Sequence, residues 1–406
     1  MAPKHSGLQR EVLALYRRAL RMVNTKPPTA QPKFRLFVRY SFKTQATSIS
    51  PRNISTIEHL LRRGRRQIEM YEDPNVRDCW IDEPLYFVAK RYVPPNSSPT
   101  GLTLLFFHNT GSHKEVWEPI IQNIFEQASN GTHSKSVGIR EAWTWDWQTH
   151  GEAGRLNAAV VARAKKHIVL AELAHSIKRF AATEGFLHGH NLAGIGHCSG
   201  GTSLVLTTID DAQPGLKYKV MIIMEPSIVA RESAIQDLHD HLKGLRAMVE
   251  RRRHTWKSRE AARRHFQGRP PWRKWDPRTL QLFVEHGLTE RLVQNADGSS
   301  AIQVTTCCSP FQEGSAYYGA ESNEDHYAAA ETLKTLDPDL PVHMLFVTPP
   351  EVWPEYQREA ALRLRKFASV KLIPNVGHFL VQEKPDMVAS LVYDTLIDQA
   401  ATQAKL

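Results

Sequence analysis

The sequence predicts two fold classes in one chain: an α/β fold carrying a helical cap, preceded by a small all-α bundle of three helices. Three observations carry this. Apolar residues recur with helical period through residues 8–68, strand-length apolar runs alternate with helical stretches beyond Trp80, and charge is split between the two parts. Of 406 residues, 52 are Lys or Arg and 42 are Asp or Glu, a net +10. Residues 1–79 hold 16 of the basic and 6 of the acidic ones. The remainder is therefore balanced, and the formal excess belongs wholly to the first part. Two units are expected, 1–79 and 80–406.

An apolar content of 41% excludes a disordered chain, and 24 Pro and 22 Gly spread along the length exclude a collagenous one. No apolar run approaches the roughly 18 residues of a spanning helix. The four cysteines, Cys79, Cys198, Cys307 and Cys308, include an adjacent pair unable to close an ordinary disulfide or to supply a zinc site alone. They predict a reducing, intracellular setting without a metal or cofactor.

In the first part, Leu8, Val12, Leu15, Ala19 and Met22 share one helical face, and Pro27-Pro28 ends that helix. Phe34, Phe37, Val38 and Phe42 predict a second helix over 32–46. Ser50-Pro51 then caps a third, whose buried face holds Ile54, Ile57, Leu61, Gly64 and Ile68. Arg62, Arg63, Arg65 and Arg66 lie on its other face, a block that stays hydrated or meets an anionic partner. No aromatic stacking platform accompanies it, so nucleic acid is not expected.

Leu15-Tyr16-Arg17, Phe34-Arg35 and the run from Ile57 through Leu61-Arg62-Arg63-Gly64-Arg65-Arg66-Gln67 resemble the LYR family, and within it the succinate dehydrogenase assembly factors. The resemblance implies an adaptor of the mitochondrial matrix that binds and does not catalyse. Leu15, Tyr16 and Arg17 would contact the iron–sulfur co-chaperone, and the four arginines would hold the iron–sulfur subunit of succinate dehydrogenase. It also implies acyl carrier protein as a partner, with the acyl chain entering between the helices where Gly64 leaves room.

In the second part, residues 85–92 predict an outer strand, 96–101 a turn and 102–107 a buried strand ending at His108-Asn109-Thr110-Gly111. A helix bearing Trp117, a strand at 142–145 and a helix over 160–184 follow. Residues 192–201 read strand, sharp turn, helix, and the turn is the chemical centre. A nucleophile elbow needs glycine two residues before and two after its apex, because strand and helix backbones crowd there. Gly196 and Gly200 meet that requirement around Cys198. With Ser199 at the apex, His197 would occupy a place that tolerates no side chain, so steric grounds favour the thiol over the serine. The thiol then needs a histidine or a helix N-terminus to ionise.

The expected order continues with an acid and a histidine. The strand at 220–224 ends at Glu225 and the strand at 342–347 leads to Glu351; either carboxylate could orient the base. The strand at 370–373 runs into Gly377-His378 before a last helix over 385–397, making His378 the candidate base. The N–H of Ser199, with Asn109 or Thr110, would form the oxyanion hole. Residues 230–335 predict a helical cap over the nucleophile, with Trp272 and Trp275 lining an apolar pocket.

The segments 108–119 and 194–201, Trp256-Lys-Ser-Arg-Glu-Ala and Trp272-Arg-Lys-Trp275-Asp-Pro resemble the fungal α/β hydrolases assigned to host-selective toxin biosynthesis. The resemblance implies the α/β-hydrolase fold and cleavage of a small apolar ester, lactone or thioester. Those relatives usually carry serine where this chain has Cys198, although thiol hydrolases such as the dienelactone hydrolases share the swap. They also look peroxisomal, and Ala404-Lys405-Leu406 varies the Ser-Lys-Leu import signal. The two parts thus carry conflicting addresses, which suggests a fusion with its seam at 78–80, made in the gene or in its reading. The rival expectation is a non-enzymatic complex II assembly factor whose hydrolase-like half is inert.

Overall fold

The computed structural model describes residues 6–26, 28, 31, 34–35, 38–39, 42, 50, 54–72, 85–130, 137–164, 167–183, 186–211, 213–294, 300–317 and 320–403. Two compact units, Met1–Pro84 and Leu85–Leu406, make up the chain. That division falls five residues beyond Cys79; the expected seam and the tail Ala404-Lys405-Leu406 lie outside the described residues.

In the first unit, α1 (Gly7–Asn24) opens with a reciprocal cap, Gln9 N–H donating to Ser6 Oγ and Ser6 N–H to Gln9 Oε1. α2 spans Ile54–Glu72. Between them Gln31, Phe34, Arg35, Val38, Arg39 and Phe42 are helical. Leu15, Ala19, Met22 and Val23 of α1 pack with Phe34, Val38, Leu61 and Ile68 in one small core. Leu15 is thus committed to packing; Tyr16 is half-buried against Phe42, their rings 4.9 Å apart, and Arg17 is exposed. Gly64 does not leave open space: a Cβ there would stand 3.0 Å from Leu15 Cδ2, so the glycine serves close approach of α1 and α2. Arg65 pairs with Glu11 and Arg18 with Glu72, each at 2.6 Å. Arg62 is exposed, and the side chains of Arg63 and Arg66 lie outside those described.

The second unit is built on a seven-stranded sheet in the order β1-β3-β2-β4-β5-β9-β10. Its strands are β1 (Val88–Tyr92), β2 (Leu102–Phe107), β3 (Ile139–Asp146), β4 (Asn191–His197), β5 (Tyr218–Met224), β9 (Val342–Thr348) and β10 (Ser369–Pro374). Edge strand β1 is antiparallel to β3, and the remaining pairs are parallel. Parallel strands are covered on both faces, which is why they read as continuous apolar runs. Along β2 the pleat sends Leu104 and Phe106 to one face, against α3 (Glu118–Asn130) and α14 (Pro385–Gln403). Leu105 and Phe107 face the other, against α5 (Leu170–Ala181), α6 (Ser199–Leu206) and α11 (Ala320–Thr335). The single helix expected over 160–184 is two, α4 (Gly151–Ala164) and α5.

The insertion between β5 and β9 holds α7 (Gln236–Arg251), α8 (Arg259–Gln267), α9 (Pro277–His286) and α10 (Pro310–Ser315). It is not purely helical. Strands β6 (Thr255–Trp256), β7 (Leu288–Gln294) and β8 (Ser300–Thr306) form an antiparallel sheet in the order β6-β8-β7. Its tryptophans pack together: Trp256, Trp272 and Trp275 lie with Phe266, Leu280 and Phe283 in the interior of the cap itself. No helix among the described residues is long and apolar enough to cross a membrane.

Candidate active site

Adjacent parallel strands deliver the site. In the β4–β5 register His197 pairs with Met224, so the next residues, Cys198 and Glu225, leave neighbouring strands side by side at their carboxyl ends. Cys198 N–H donates to Met224 O at 2.9 Å and Glu225 N–H to Leu345 O at 2.9 Å. Both are held at positive φ, 53° and 48°, a conformation that L-residues keep only where surrounding structure imposes it. The elbow glycines are obligatory. A Cβ on Gly200 would lie 2.2 Å from Phe107 O, and one on Gly196 2.6 Å from the Gly201 Cα. Cys198 caps α6, whose unpaired N-terminal N–H groups favour a negative sulfur.

His378 follows β10 and is 2% exposed, with Cys198 at 3% and Glu225 at 4%. Its Nδ1–H donates to Glu225 Oε2 at 2.9 Å, and the Cys198 side chain lies close enough to the imidazole to act on its proton affinity. Burial lowers the imidazole's proton affinity. The Cys198 sulfur and then Glu225 outweigh burial and raise it to about 10. The arrangement is an imidazole placed between the Cys198 sulfur and the Glu225 carboxylate. Glu225 Oε1 accepts from Val347 N–H at 2.8 Å, which fixes the carboxylate plane.

The other candidate acid does different work. Glu351 Oε2 accepts from the backbone N–H of His378 at 2.6 Å, and its second oxygen lies 3.4 Å from Lys274 Nζ. Glu383 Oε2 accepts from Gly377 N–H at 3.1 Å. Two carboxylates thus hold the loop, while Glu225 alone reaches the ring. From the strand-four side, His197 Nε2–H donates to His378 O at 2.8 Å. Burial keeps His197 neutral, its affinity well below the ordinary value.

Ser199 is buried with its Oγ accepting from Thr110 Oγ1 at 2.9 Å and 3.8 Å from Cys198 Sγ. Ser227 Oγ adds a contact at 3.4 Å. The Ser199 N–H sits at the first position of α6, where a helix leaves its donors unpaired. Asn109 has its side chain committed, Nδ2 donating to Thr110 O and Oδ1 accepting from Gln382 Nε2. Side chains at 109 and 110 are therefore occupied, and any oxyanion donor from this loop is backbone. Gly111 N–H is held by His150 Nε2 at 2.9 Å.

The cap touches the site twice. Arg252 forks onto Glu313 at 3.0 and 2.6 Å, and that carboxylate lies against Gly111, whose φ is 76° and whose added Cβ would be 2.7 Å away. On the histidine side, Trp275 packs on Phe379, and Asp276 N–H donates to Gln382 O at 2.9 Å. A cleft of about 470 Å³ between α4 and β7 is lined by Arg155, Arg259, Glu285, His286 and Glu290 and includes none of Cys198, Glu225 or His378. Among the described residues no group of His, Cys, Asp and Glu is arranged to hold a metal ion. Sequence reasoning missed Thr202, Ser227, Arg252, Glu313 and His197. Only His197 lay within a recognised motif, beside the apex of the elbow.

Residues 104–391 match the alpha/beta hydrolase family, and residues 10–70 match the Complex 1 protein (LYR) family. The chain is 44% identical to the mitochondrial succinate dehydrogenase assembly factor 1 of Schizosaccharomyces pombe over 73 residues, 18% of this chain and 91% of that protein. It is 24% identical to the abhydrolase domain-containing protein ACTT2-1 of Alternaria alternata over 229 residues, 50% of this chain and 82% of that one. The solved structure of the peroxisomal alpha-beta-hydrolase Lpx1 of Saccharomyces cerevisiae aligns with a TM-score of 0.56 at 14% identity. The alignment covers 78% of this chain and 90% of that one, a likeness of fold.

Proposed function

Because the chain belongs to the alpha/beta hydrolase family through residues 104–391 and to the LYR family through residues 10–70, we propose a thiol hydrolase joined to a succinate dehydrogenase assembly module. The substrate class is a small apolar ester, lactone or thioester. One observation carries the enzymatic half: buried His378 donates from Nδ1 to Glu225 at 2.9 Å while the Cys198 side chain acts on the same imidazole.

In this reading Cys198 Sγ attacks the acyl carbon and the carbonyl electron pair moves to oxygen, met by backbone N–H groups of Ser199 and of the 109–110 loop. Collapse breaks the bond to the leaving group, which takes the proton from His378 and departs as an alcohol or thiol. Neutral His378 then accepts a proton from water as its oxygen attacks the thioester. A second collapse returns the electron pair to sulfur and releases the acid, restoring the thiolate and imidazolium. Glu225 holds the ring and offsets its charge throughout. Turnover of an aryl ester by the full chain, lost to background in Cys198→Ala, is the expected result; equal rates in both proteins defeat the enzymatic reading and favour the inert half.

For the first unit, the similarity to mitochondrial assembly factors supports an adaptor role in the matrix. Its partners in this reading are the iron–sulfur co-chaperone, the succinate dehydrogenase iron–sulfur subunit and acyl carrier protein. Tyr16, Arg17, Arg62 and Arg65 offer the accessible contacts, with Leu15 acting through the core. Restoration of succinate dehydrogenase activity in cells lacking their own factor tests it, and failure of residues 1–84 to restore it counts against the role. The peroxisomal address at 404–406 is tested by imaging the chain with and without those three residues.

A further inference from the structure

The Ser199 side chain is placed to act separately from its backbone N–H. A hydroxyl oxygen offers two lone pairs and one hydrogen. Thr110 Oγ1 donates to Ser199 Oγ at 2.9 Å and Ser227 Oγ at 3.4 Å, so both lone pairs are engaged. Ser227 is itself bonded to Thr202 Oγ1 at 2.8 Å, and Ser199 is 3% exposed, which leaves little room for water. The one hydrogen is left for the remaining neighbour, Cys198 Sγ, 3.8 Å away. We propose that Ser199 is a catalytic residue whose hydroxyl donates to the Cys198 sulfur and assists its departure when the acyl-enzyme is hydrolysed. The inference rests on Cys198 being the nucleophile.

The two chemical steps use such a donor unequally. In acylation the sulfur gives up negative charge as the C–S bond forms. Without the donor fewer thiolates exist, but each is more nucleophilic, and the effects largely cancel. In deacylation the C–S bond breaks and its electron pair returns to sulfur, so a hydrogen bond to the nascent thiolate lowers that barrier. Thr110 and Ser227, by donating to Ser199, polarise its O–H toward the sulfur.

Stopped-flow hydrolysis of a p-nitrophenyl ester, with the pH dependence of iodoacetamide alkylation, tests this on the full chain. Ser199→Ala is expected to lower steady-state kcat about tenfold, the scale of one hydrogen bond to a charged group. It should release a burst of p-nitrophenol approaching one equivalent and move the alkylation midpoint upward by about half a pH unit. Thr110→Val, which leaves the Ser199 hydroxyl in place, should shift both readouts less and in the same direction, and it decides the matter if Ser199→Ala does not fold. No burst and an unchanged midpoint in the soluble variants overturn the role of the hydroxyl. Full turnover in Cys198→Ala would instead overturn the reading beneath it.

Discussion

At the residue scale, two glutamates leave the ends of two strands and only one reaches the imidazole. Glu225→Gln keeps the shape but loses the charge facing Nδ1, and kcat should fall by about 10²–10⁴, the range of a general base deprived of its partner. Glu351→Gln still accepts from His378 N–H, so its kcat should stay within about threefold. Comparable losses in the two variants would contradict the assignment. This choice was not legible in sequence, because both carboxylates follow apolar strands, and only the third dimension shows Glu351 bonded to backbone. Cys198 and His378 were legible, since the glycine spacing and the Gly-His after a last strand report local geometry.

Titration adds a second residue-scale expectation. The folded-state affinity of His378 is raised from 6.5 to about 10, with the Cys198 sulfur its largest supporting interaction. A raised value means the folded state holds its proton more tightly than the unfolded chain. The stabilisation is therefore full below about pH 6.5, declines above it and is gone beyond about pH 10. Urea unfolding across pH 6–10 should show this loss in the wild type and a flatter profile in His378→Ala. Parallel profiles would mean that the His378 affinity is not raised in the folded state.

At the scale of elements, the elbow depends on backbone contacts that cannot yield. An alanine at 200 would place its Cβ 2.2 Å from a carbonyl oxygen of β2, so Gly200→Ala should cost about 2–4 kcal/mol of stability by urea unfolding. A variant as stable as the parent would show that strand and helix are farther apart than described. The main strands were legible because their apolar runs are buried on both faces. The cap sheet was not: Leu292 and Ile302 pair across β7 and β8 while 75% and 61% exposed, so the apolar residues mark no core. The Asp297-Gly298 pair between the two strands was the available hairpin signal. The packing of the cap tryptophans was not legible for the opposite reason, since a Trp-rich segment reads alike as pocket wall or as interior.

At the scale of the whole molecule, a basic helical unit and a charge-balanced hydrolase unit share one chain, and the charge asymmetry made that division visible in sequence. Continuity across it has a direct readout: a single chain yields the tryptic peptide running from Asp78 to Lys90. Its absence, with peptides from both units abundant, would mean two separate products. The central claim is that sulfur carries the acyl group. Full-length protein mixed with an aryl ester and acid-quenched should gain the mass of one acyl group. That group should map to Cys198 within the tryptic peptide 180–217 and be released by neutral hydroxylamine as a thioester. An adduct on Ser199, or the same adduct in Cys198→Ala, would contradict it.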